Sequence, residues 1–232
     1  MKALLFSLAL VGAHAHAAAD PLRPFHADYQ VLRNGKEAGR ATLDLRPIAN
    51  GEWEFDTQTK GTAGMAAMLG IDISERSTFR WDGNRPQCLH YAYEQKGGLK
   101  SRSLGVDCDW KNATATTTDK GKTATAALGD TAMDRHLVTL ALMADLKAGA
   151  TELDYRVVDK DRVNQQRYVQ AASEPLVLPA GNVKAVKVSR TSDDGKRRTT
   201  SWFAPLRGWL PVQIEQVDNH GETVTLQLTS AP

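Results

Sequence analysis

The two cysteines of the chain constrain its fold more than any other feature. Cys88 and Cys108 lie symmetrically about Gly98, ten residues to either side, in a run whose flanking segments resemble strands. If this run folds as an antiparallel hairpin about that glycine, the cysteines come directly opposite each other. The same register places Glu94 opposite Arg102, which is a favourable pair of opposite charges. The sequence therefore predicts a hairpin and, across it, a disulfide.

A structural disulfide is the simplest role for this pair, because two cysteines in an oxidising compartment usually form one bond. Closing a loop of about 20 residues stabilises the fold by roughly 3 kcal/mol in the chain-entropy model. The alternative is a metal-binding or redox-active pair. It is less favoured because the spacing is not C-x-x-C and no histidine pair accompanies it. We expect no metal and no cofactor.

The first 19 residues have the pattern of a secretory signal peptide. Lys2 precedes a short apolar run over residues 3–12, and small residues with A-x-A spacing follow. The run is shorter than the about 20 apolar residues that span a bilayer. Removal of residues 1–19 leaves 28 basic and 27 acidic residues, which argues against a nucleic acid partner. We expect residues 20–232 to form one exported domain without a membrane span, located in the periplasm.

Apolar and polar residues alternate along most of the chain, as they do in half-buried strands. The alternation is clear over residues 25–31 and 39–45, and the turn signal Asn34-Gly35 separates these two segments. Similar segments recur to the end of the chain. The predicted fold class is mainly β: a curved antiparallel sheet, or half-barrel, of roughly a dozen strands with one substantial helix packed on it.

The helix is predicted between Asp130 and Gly149. Asp130 can cap its N-terminus, and apolar residues from Met133 to Ala144 fall at helical spacing. Further apolar residues widen this face, so we expect the helix to pack against the sheet. His136 lies within it and is interpreted as a surface residue.

Seven apolar residues are candidate ligand contacts. Four belong to an inward strand row and three to the glycine-bounded segment 61–70: Phe55, Ile73, Phe79, Trp81, Met65, Met68 and Leu69. Segment 61–70 is either a short helix that caps the core or a methionine-lined flap over an apolar cavity. Sites for apolar ligands are lined in this way, with few polar groups.

Two further features have open interpretations. Glu75 shares its face with the apolar row, so it lies at a bulge, pairs with a nearby arginine such as Arg76 or Arg80, or is functional. The tryptophans either belong to the core or form a stacking surface for sugars; they are Trp53, Trp81, Trp110, Trp202 and Trp209.

The sequence favours a protein without catalytic activity. Neither a G-x-S-x-G nucleophile motif nor a P-loop occurs. Four histidines lie outside the predicted signal peptide, and none belongs to an H-E-x-x-H motif: His26, His90, His136 and His220. Carboxylates are plentiful, but no pair of them stands out.

The run WFAPLRGWLPVQIEQ, residues 202–216, resembles the domain-of-unknown-function 3108 family of exported bacterial proteins. Three other segments agree: the alternating PFHADYQV of residues 24–31, Glu75-x-Ser77-x-Phe79, and the Pro-x-Gly turn at residues 179–181. The resemblance covers most of residues 20–232. It implies a periplasmic half-barrel around a helix, similar to lipoprotein carriers of the localisation-factor type, which shelter an acyl chain. It implies no catalytic residues.

We therefore expect a periplasmic, non-catalytic binding or carrier protein for an apolar or amphipathic ligand such as a lipid, an acyl chain or a lipoprotein. The alternative is an envelope adaptor or polysaccharide-associated module with a cell-envelope protein or glycan as partner. A filled core with exposed Trp202 or Trp209 would favour that alternative. A third hypothesis, a hydrolase, requires a cleft where Glu75 or a histidine meets other polar groups.

Overall fold

The computed structural model describes residues 21–98 and 101–231. The predicted signal peptide lies outside these residues. The described chain forms fifteen strands and two helices: β1 (Phe25–Arg33), β2 (Lys36–Pro47), β3 (Trp53–Gly61), α1 (Gly64–Met68), β4 (Asp72–Asp82), β5 (Arg85–Lys96), β6 (Arg102–Asp109), β7 (Thr114–Asp119), β8 (Lys122–Ala127), β9 (Ala132–Met133), α2 (Val138–Lys147), β10 (Leu153–Asp159), β11 (Arg162–Leu178), β12 (Gly181–Thr191), β13 (Arg197–Ala204), β14 (Leu210–Asp218) and β15 (Thr223–Ser230).

All fifteen strands of the described chain belong to one sheet. Strands β1 to β8 form one antiparallel meander, and strands β10 to β15 form a second. The meanders join because β1 pairs antiparallel with β15, while β9 adds to β10 as the one parallel pair in the described sheet. The predicted fold class is thus confirmed, with more strands than the sequence suggested.

The sheet is rolled but does not close into a barrel. Strands β8 and β9 are its two edges and are not hydrogen-bonded to each other. The edges overlap instead, because β8 contacts β11 and β9 contacts β5. Val158 of β10 packs in one apolar cluster with Val106 of β6 and Leu128, so the second edge lies against the inner face of the first meander.

Helix α2 fills one half of the rolled sheet. Every residue from Leu140 to Leu146 is buried, and the helix contacts β5, β10 and β14. Lys147, its last residue, donates a hydrogen bond to the Pro21 carbonyl (2.8 Å). We call the end of the sheet near Pro21 the lower end. The upper end carries the β1–β2 turn and α1.

The helix begins later than predicted. Ala132 and Met133 form β9, and Asp134, instead of Asp130, caps the turn over residues 135–137 that leads into α2; Leu137, the N-cap residue of α2 itself, makes no side-chain capping bond. The Asp134 Oδ1 accepts hydrogen bonds from the backbone N–H groups of His136 (2.9 Å) and Leu137 (3.0 Å), which is the arrangement that satisfies the free donors of a first helical turn. His136 is 8% exposed, so its interpretation as a surface residue is wrong.

The cysteine hairpin forms, but its register differs from the predicted one by one residue. Glu94 pairs with Ser103, and Arg102 pairs with Gln95. The cysteines still meet because Leu89 is an extra residue in β5, which the β4–β5 pairing skips. Such a β-bulge reverses the side-chain alternation of its strand, so it returns Cys88 to the inner face.

Segment 61–70 forms the short helix α1 at the upper end. It is anchored through backbone hydrogen bonds, from Ile71 N to Ala66 O (3.0 Å) and from Gly98 N to Leu69 O (2.8 Å). Met65 is 63% exposed and Met68 is 76% exposed. The segment is therefore helical, as one alternative predicted, but it lies on the rim and does not cover the core.

Candidate functional site

Inward side chains are buried in the lower half of the sheet, and several of those in the upper half of the same strands are half-buried. In the lower half, inward side chains are buried in one cluster with α2; they include Leu45, Phe55, Phe79, Tyr155, Phe203 and Val212. In the upper half, inward positions at the same two-residue spacing are half-buried. We call this set the upper inner face; it consists of Thr59, Ile73, Glu75, Tyr93, Thr199, Ile214 and Leu226.

Strand pairing groups the upper inner face into two parts, and the inward residues between them, Val31 and Ala41, are buried. Glu75 pairs with Tyr93, and Ile214 pairs with Leu226. Leu226 in turn pairs with Val31 of β1, where the two meanders join. The surface therefore combines aliphatic, aromatic and charged side chains around the inside of the upper end.

A hydrogen-bonded group of three side chains lies where this face meets the start of α2. The Tyr91 hydroxyl donates to Glu75 Oε2 (2.9 Å) and accepts from Arg135 Nε (2.7 Å). Arg135 Nη2 lies 3.7 Å from Glu75 Oε1. Burial raises the pKa of Tyr91 far above its usual value, so this phenol stays protonated and remains a donor.

Glu75 pairs with an arginine, as one alternative predicted, but not with either of the two arginines that the sequence suggested. Its basic partner is Arg135, from the segment that precedes α2, and not Arg76 or Arg80. Arg76 pairs with Asp56 on the outer face (2.6 Å), and Arg80 donates to Gln87 (2.7 Å).

A second polar group is fully enclosed below the first. The Ser77 hydroxyl donates to Asp134 Oδ1 (3.0 Å) and lies 3.0 Å from His136 Nδ1. Thr57 Oγ1 lies 2.8 Å from His136 Nε2. Burial lowers the pKa of His136 to about 4 and raises that of Asp134 to about 6. At neutral pH a neutral imidazole donates from Nδ1 to Ser77 and accepts from Thr57, whereas Asp134 Oδ2 has no hydrogen-bond partner among the described residues.

The enclosed group is not built as a nucleophilic triad. In such a triad the histidine lies between the carboxylate and the nucleophile. Here Ser77 lies between Asp134 and His136, and Ser77 is 0% exposed. The group instead fixes the first turn of α2 against β3 and β4.

The cysteines lie beside this enclosed group. Their sulfurs are 2.7 Å apart without a bond between them, and Cys88 is fully buried while Cys108 is partly exposed. Contact with Cys108 and burial raise the pKa of Cys88 well above its usual value. The pairing of the two residues in space is thus observed, whereas the disulfide itself stays a prediction.

The seven predicted ligand contacts are divided among three places. Phe55 and Phe79 are buried with α2, and Trp81 packs edge-on against Phe79 with ring centres 5.1 Å apart. Ile73 lies on the upper inner face. The other three, Met65, Met68 and Leu69, lie exposed on the rim. The structure therefore does not bring the seven together as one lining.

Sequence reasoning missed Tyr91, Tyr93 and Arg135. The two tyrosines show the period of a strand, but their position beside Glu75 follows from the β4–β5 register, which contains the bulge. Arg135 precedes the helix, and no sequence signal links it to β4. The tryptophans agree with the core interpretation in part: Trp53 and Trp202 are each 6% exposed, and the other three are half-buried.

Residues 21–98 and 101–231 contain neither a metal-binding cluster nor a membrane-spanning helix. Within these ranges, no cluster of three or more histidine, cysteine, aspartate or glutamate side chains is arranged to hold a metal ion. The helices of the same ranges are too short or too polar to cross a bilayer.

One solved structure shares this architecture. A β-barrel-like protein of domain of unknown function DUF1849 from Brucella abortus aligns over 92% of this chain and 98% of its own, with 15% identity and a TM-score of 0.57. Two weaker likenesses, each over 92% of this chain, are a candidate lipoprotein from Parabacteroides distasonis (97% of its length, 11% identity, TM-score 0.40) and a candidate exported protein with a YmcC-like fold from Bacteroides fragilis (98%, 12%, 0.32). The likeness to the Brucella abortus structure supports the fold alone.

No curated protein matches the sequence. The model of a protein family of unknown function, DUF3108, matches residues 25–229, which is most of the chain and includes every strand described above except the last residue of β15. This chain belongs to the DUF3108 family.

Proposed function

We propose that this protein is a non-catalytic binding protein of the bacterial periplasm that holds an amphipathic ligand on the upper inner face. The observation that carries the proposal is the partial exposure of Ile73, Ile214 and Leu226 on a concave surface that α2 leaves uncovered. Inward apolar side chains of a rolled sheet are normally buried, and exposed apolar surface of this kind often marks a binding site.

The rim extends this surface. Met65 and Met68 of α1 are exposed at the upper end, next to the start of β4, which carries Ile73. Methionine side chains are flexible and adapt to ligands of irregular shape. The apolar part of a ligand would contact the upper inner face and these two methionines, while its polar part would reach Glu75 or Arg135.

Two observations favour binding over catalysis. Ser77 is enclosed, and both ring nitrogens of His136 have hydroxyl neighbours. Neither group can reach a substrate without rearrangement of α2. A hydrolase also requires a base within hydrogen-bond reach of the reacting atom.

The adaptor alternative has less support. Exposed Trp202 or Trp209 would favour it, but Trp202 is 6% exposed and Trp209 is half-buried. The periplasmic location is proposed from the signal-peptide pattern of residues 1–19, and the oxidising compartment is the reason to propose a Cys88–Cys108 disulfide.

The test is binding of an apolar fluorescent dye, N-phenyl-1-naphthylamine, by the protein without its first 19 residues, followed by displacement with single-chain amphiphiles. We expect binding that Ile73→Ser and Leu226→Ser each weaken by about tenfold, because each removes apolar contact area worth on the order of 1.4 kcal/mol. Val169→Ser is the control, since Val169 is 62% exposed outside this surface.

Native mass spectrometry of gently purified protein is the complementary measurement. Dye binding that survives both serine substitutions, or a protein that neither carries nor binds any amphiphile, would contradict the proposal.

A further inference from the structure

A small cavity lies at the lower end of the sheet, where β9 contacts the start of β5. Strand β4 runs from α1 to the β4–β5 turn, so this cavity and the upper inner face are at opposite ends of the molecule. Its volume is about 140 Å³. Pro86 and Ala132, which are both buried, line it together with the half-buried Trp110.

Trp110 gives the cavity an aromatic wall that is fixed in place. Its indole Nε1 donates a hydrogen bond to the Cys88 carbonyl (2.6 Å). This bond uses the only polar group of the side chain, so the rest of the indole offers apolar aromatic surface. With Pro86 and Ala132 beside it, this wall suits a ligand that has an apolar face.

Polar side chains with unused hydrogen-bonding groups line the same cavity. Asp82 and Asp130 are exposed, and neither side chain has a hydrogen bond or an ion pair with another described residue. Arg85 is held by Asp145, whose Oδ2 lies 2.9 Å from its Nη1, and by the Tyr155 ring, whose centre lies 5.2 Å from its guanidinium carbon. A guanidinium has five N–H donors, so Arg85 keeps donors for a ligand while the two carboxylates accept.

The charges around the cavity nearly balance. The guanidinium of Arg156 packs so closely against Gly129, next to Asp130, that a β-carbon would not fit there. The positive charges belong to Arg85 and Arg156, and the negative ones to Asp82, Asp130 and Asp145. A charged ligand of either sign would therefore meet a like charge. A neutral ligand with hydroxyl groups fits better, because a hydroxyl both donates and accepts.

We propose that this cavity binds one pyranose ring of a neutral sugar, with the C–H face of the ring on Trp110 and its hydroxyls on Asp82, Asp130 and Arg85. The cavity has room for about five water molecules of about 30 Å³ each, which suits a single ring and is too small for a lipid chain. The inference goes beyond the proposed function and does not depend on the upper inner face.

The experiment is saturation-transfer NMR on the protein without its first 19 residues, with the methyl glycosides of glucose, galactose and N-acetylglucosamine. We expect at least one of them to bind, with the strongest transfer to the ring C–H protons that pack on Trp110. Sorbitol is the ligand control. This open-chain hexitol has similar hydroxyls but no ring face, so it should bind at least about tenfold more weakly.

Asp82→Asn and Asp130→Asn test the polar contacts, because both residues are exposed and the fold does not depend on their side chains. Each should weaken glycoside binding by about tenfold, as expected for the loss of one charge-assisted hydrogen bond. Asp161→Asn is the matched control, since Asp161 is an exposed aspartate in the β10–β11 turn at the upper end.

Trp110→Phe and Trp110→Leu test the aromatic wall. Both variants lose the hydrogen bond to Cys88, but only the first keeps a ring on which a sugar can stack. We expect Trp110→Phe to bind the glycoside about tenfold more tightly than Trp110→Leu. Urea denaturation of both shows whether they are folded to the same extent.

Four outcomes would overturn the sugar site: no binding of any of the three glycosides, equal binding of sorbitol, unchanged affinity in both aspartate variants, or equal affinity in folded Trp110→Phe and Trp110→Leu. Tighter binding of arginine methyl ester than of every glycoside would also overturn it, since the carboxylates would then select a cation. Dye binding at the upper inner face should be unchanged in all four variants, so failure of this site leaves the proposed function intact.

Discussion

The two halves of the rolled sheet use the same strands but differ in what covers them. Strand β3 carries Trp53 and Phe55 inward at its lower end, where α2 buries them, and Thr57 and Thr59 inward at its upper end. Strand β14 changes likewise, from Val212 to the half-buried Ile214. The comparison teaches that one helix decides which inward residues become core and which remain available to a ligand.

The largest change in the free energy of unfolding is expected for a substitution in the lower half, which α2 fills. Leu140 of α2 is 0% exposed, so Leu140→Ala should lower the free energy of unfolding by about 4 kcal/mol. Leu226→Ala on the upper inner face should lower it by about 1 kcal/mol, because that side chain is already partly in water. Urea denaturation measures both.

Leu140→Met is the control in the closed half, since it conserves volume and should cost less than about 1.5 kcal/mol. Equal losses for the two alanine variants would mean that the two halves are packed alike, and the distinction between them would have to be abandoned.

A smaller effect is expected at the boundary between the halves, where Cys88 and Cys108 meet. Oxidation by a small disulfide such as oxidised glutathione joins the two thiols and transfers two electrons and two protons to the oxidant, which yields two reduced thiols. The bond should stabilise the fold by roughly 3 kcal/mol relative to the reduced protein.

Thermal unfolding with and without reductant measures this difference, and alkylation followed by mass spectrometry counts free thiols. The Cys88→Ala, Cys108→Ala double variant should not respond to reductant. A wild-type protein that keeps two free thiols after oxidation would refute the disulfide.

The smallest effect is expected in the pH dependence of stability, and it is caused by Asp134 and His136 of the enclosed group. His136 has a lowered pKa of about 4, so its contribution to stability is lost as pH falls from about 6.5 towards 4. Asp134 has a raised pKa of about 6, so its contribution is lost as pH rises from about 4 to 6. The two residues change the free energy of unfolding with pH in opposite directions. Their contributions should therefore nearly cancel in the wild type between pH 4 and 6.

Substituting one of the two residues should leave only the pH dependence of stability that the other one causes. Stability of His136→Gln should fall by about 2 kcal/mol between pH 4 and 6, and that of Asp134→Asn should rise by a similar amount. His90→Gln, at a half-exposed histidine, is the control. If both variants followed the wild-type profile, Asp134 and His136 would not titrate as the enclosed geometry requires.

Much of the fold could be predicted because strand periodicity and turn chemistry are local. Asn34-Gly35 and the alternation on either side of it specify the β1–β2 hairpin, and both meanders consist of such neighbours. The β1–β15 pairing joins residues about 200 positions apart, and no local pattern specifies it. The helix start was misplaced because Asp130 and Asp134 both suit a cap, and tertiary contacts with Ser77 decide between them.

The site was harder to predict because it depends on contacts between distant elements. Phe55 and Phe79 were correctly placed on the inner face, but whether a helix covers them cannot be read from their own strands. One signal was present: α2 is apolar on nearly all sides, as expected of a helix enclosed by other elements. Glu75, Tyr91 and Arg135 meet from three separate segments of the chain, and they carry no common sequence pattern.

The meeting of the first and last strands has a consequence for the biogenesis of this protein. Because β15 bridges the two meanders, the sheet cannot be assembled as a whole until β15 has been synthesised. A chain with such a long-range requirement folds slowly. Late folding of this kind is compatible with the proposed periplasmic location, because a chain that has not yet folded can pass through a secretion channel.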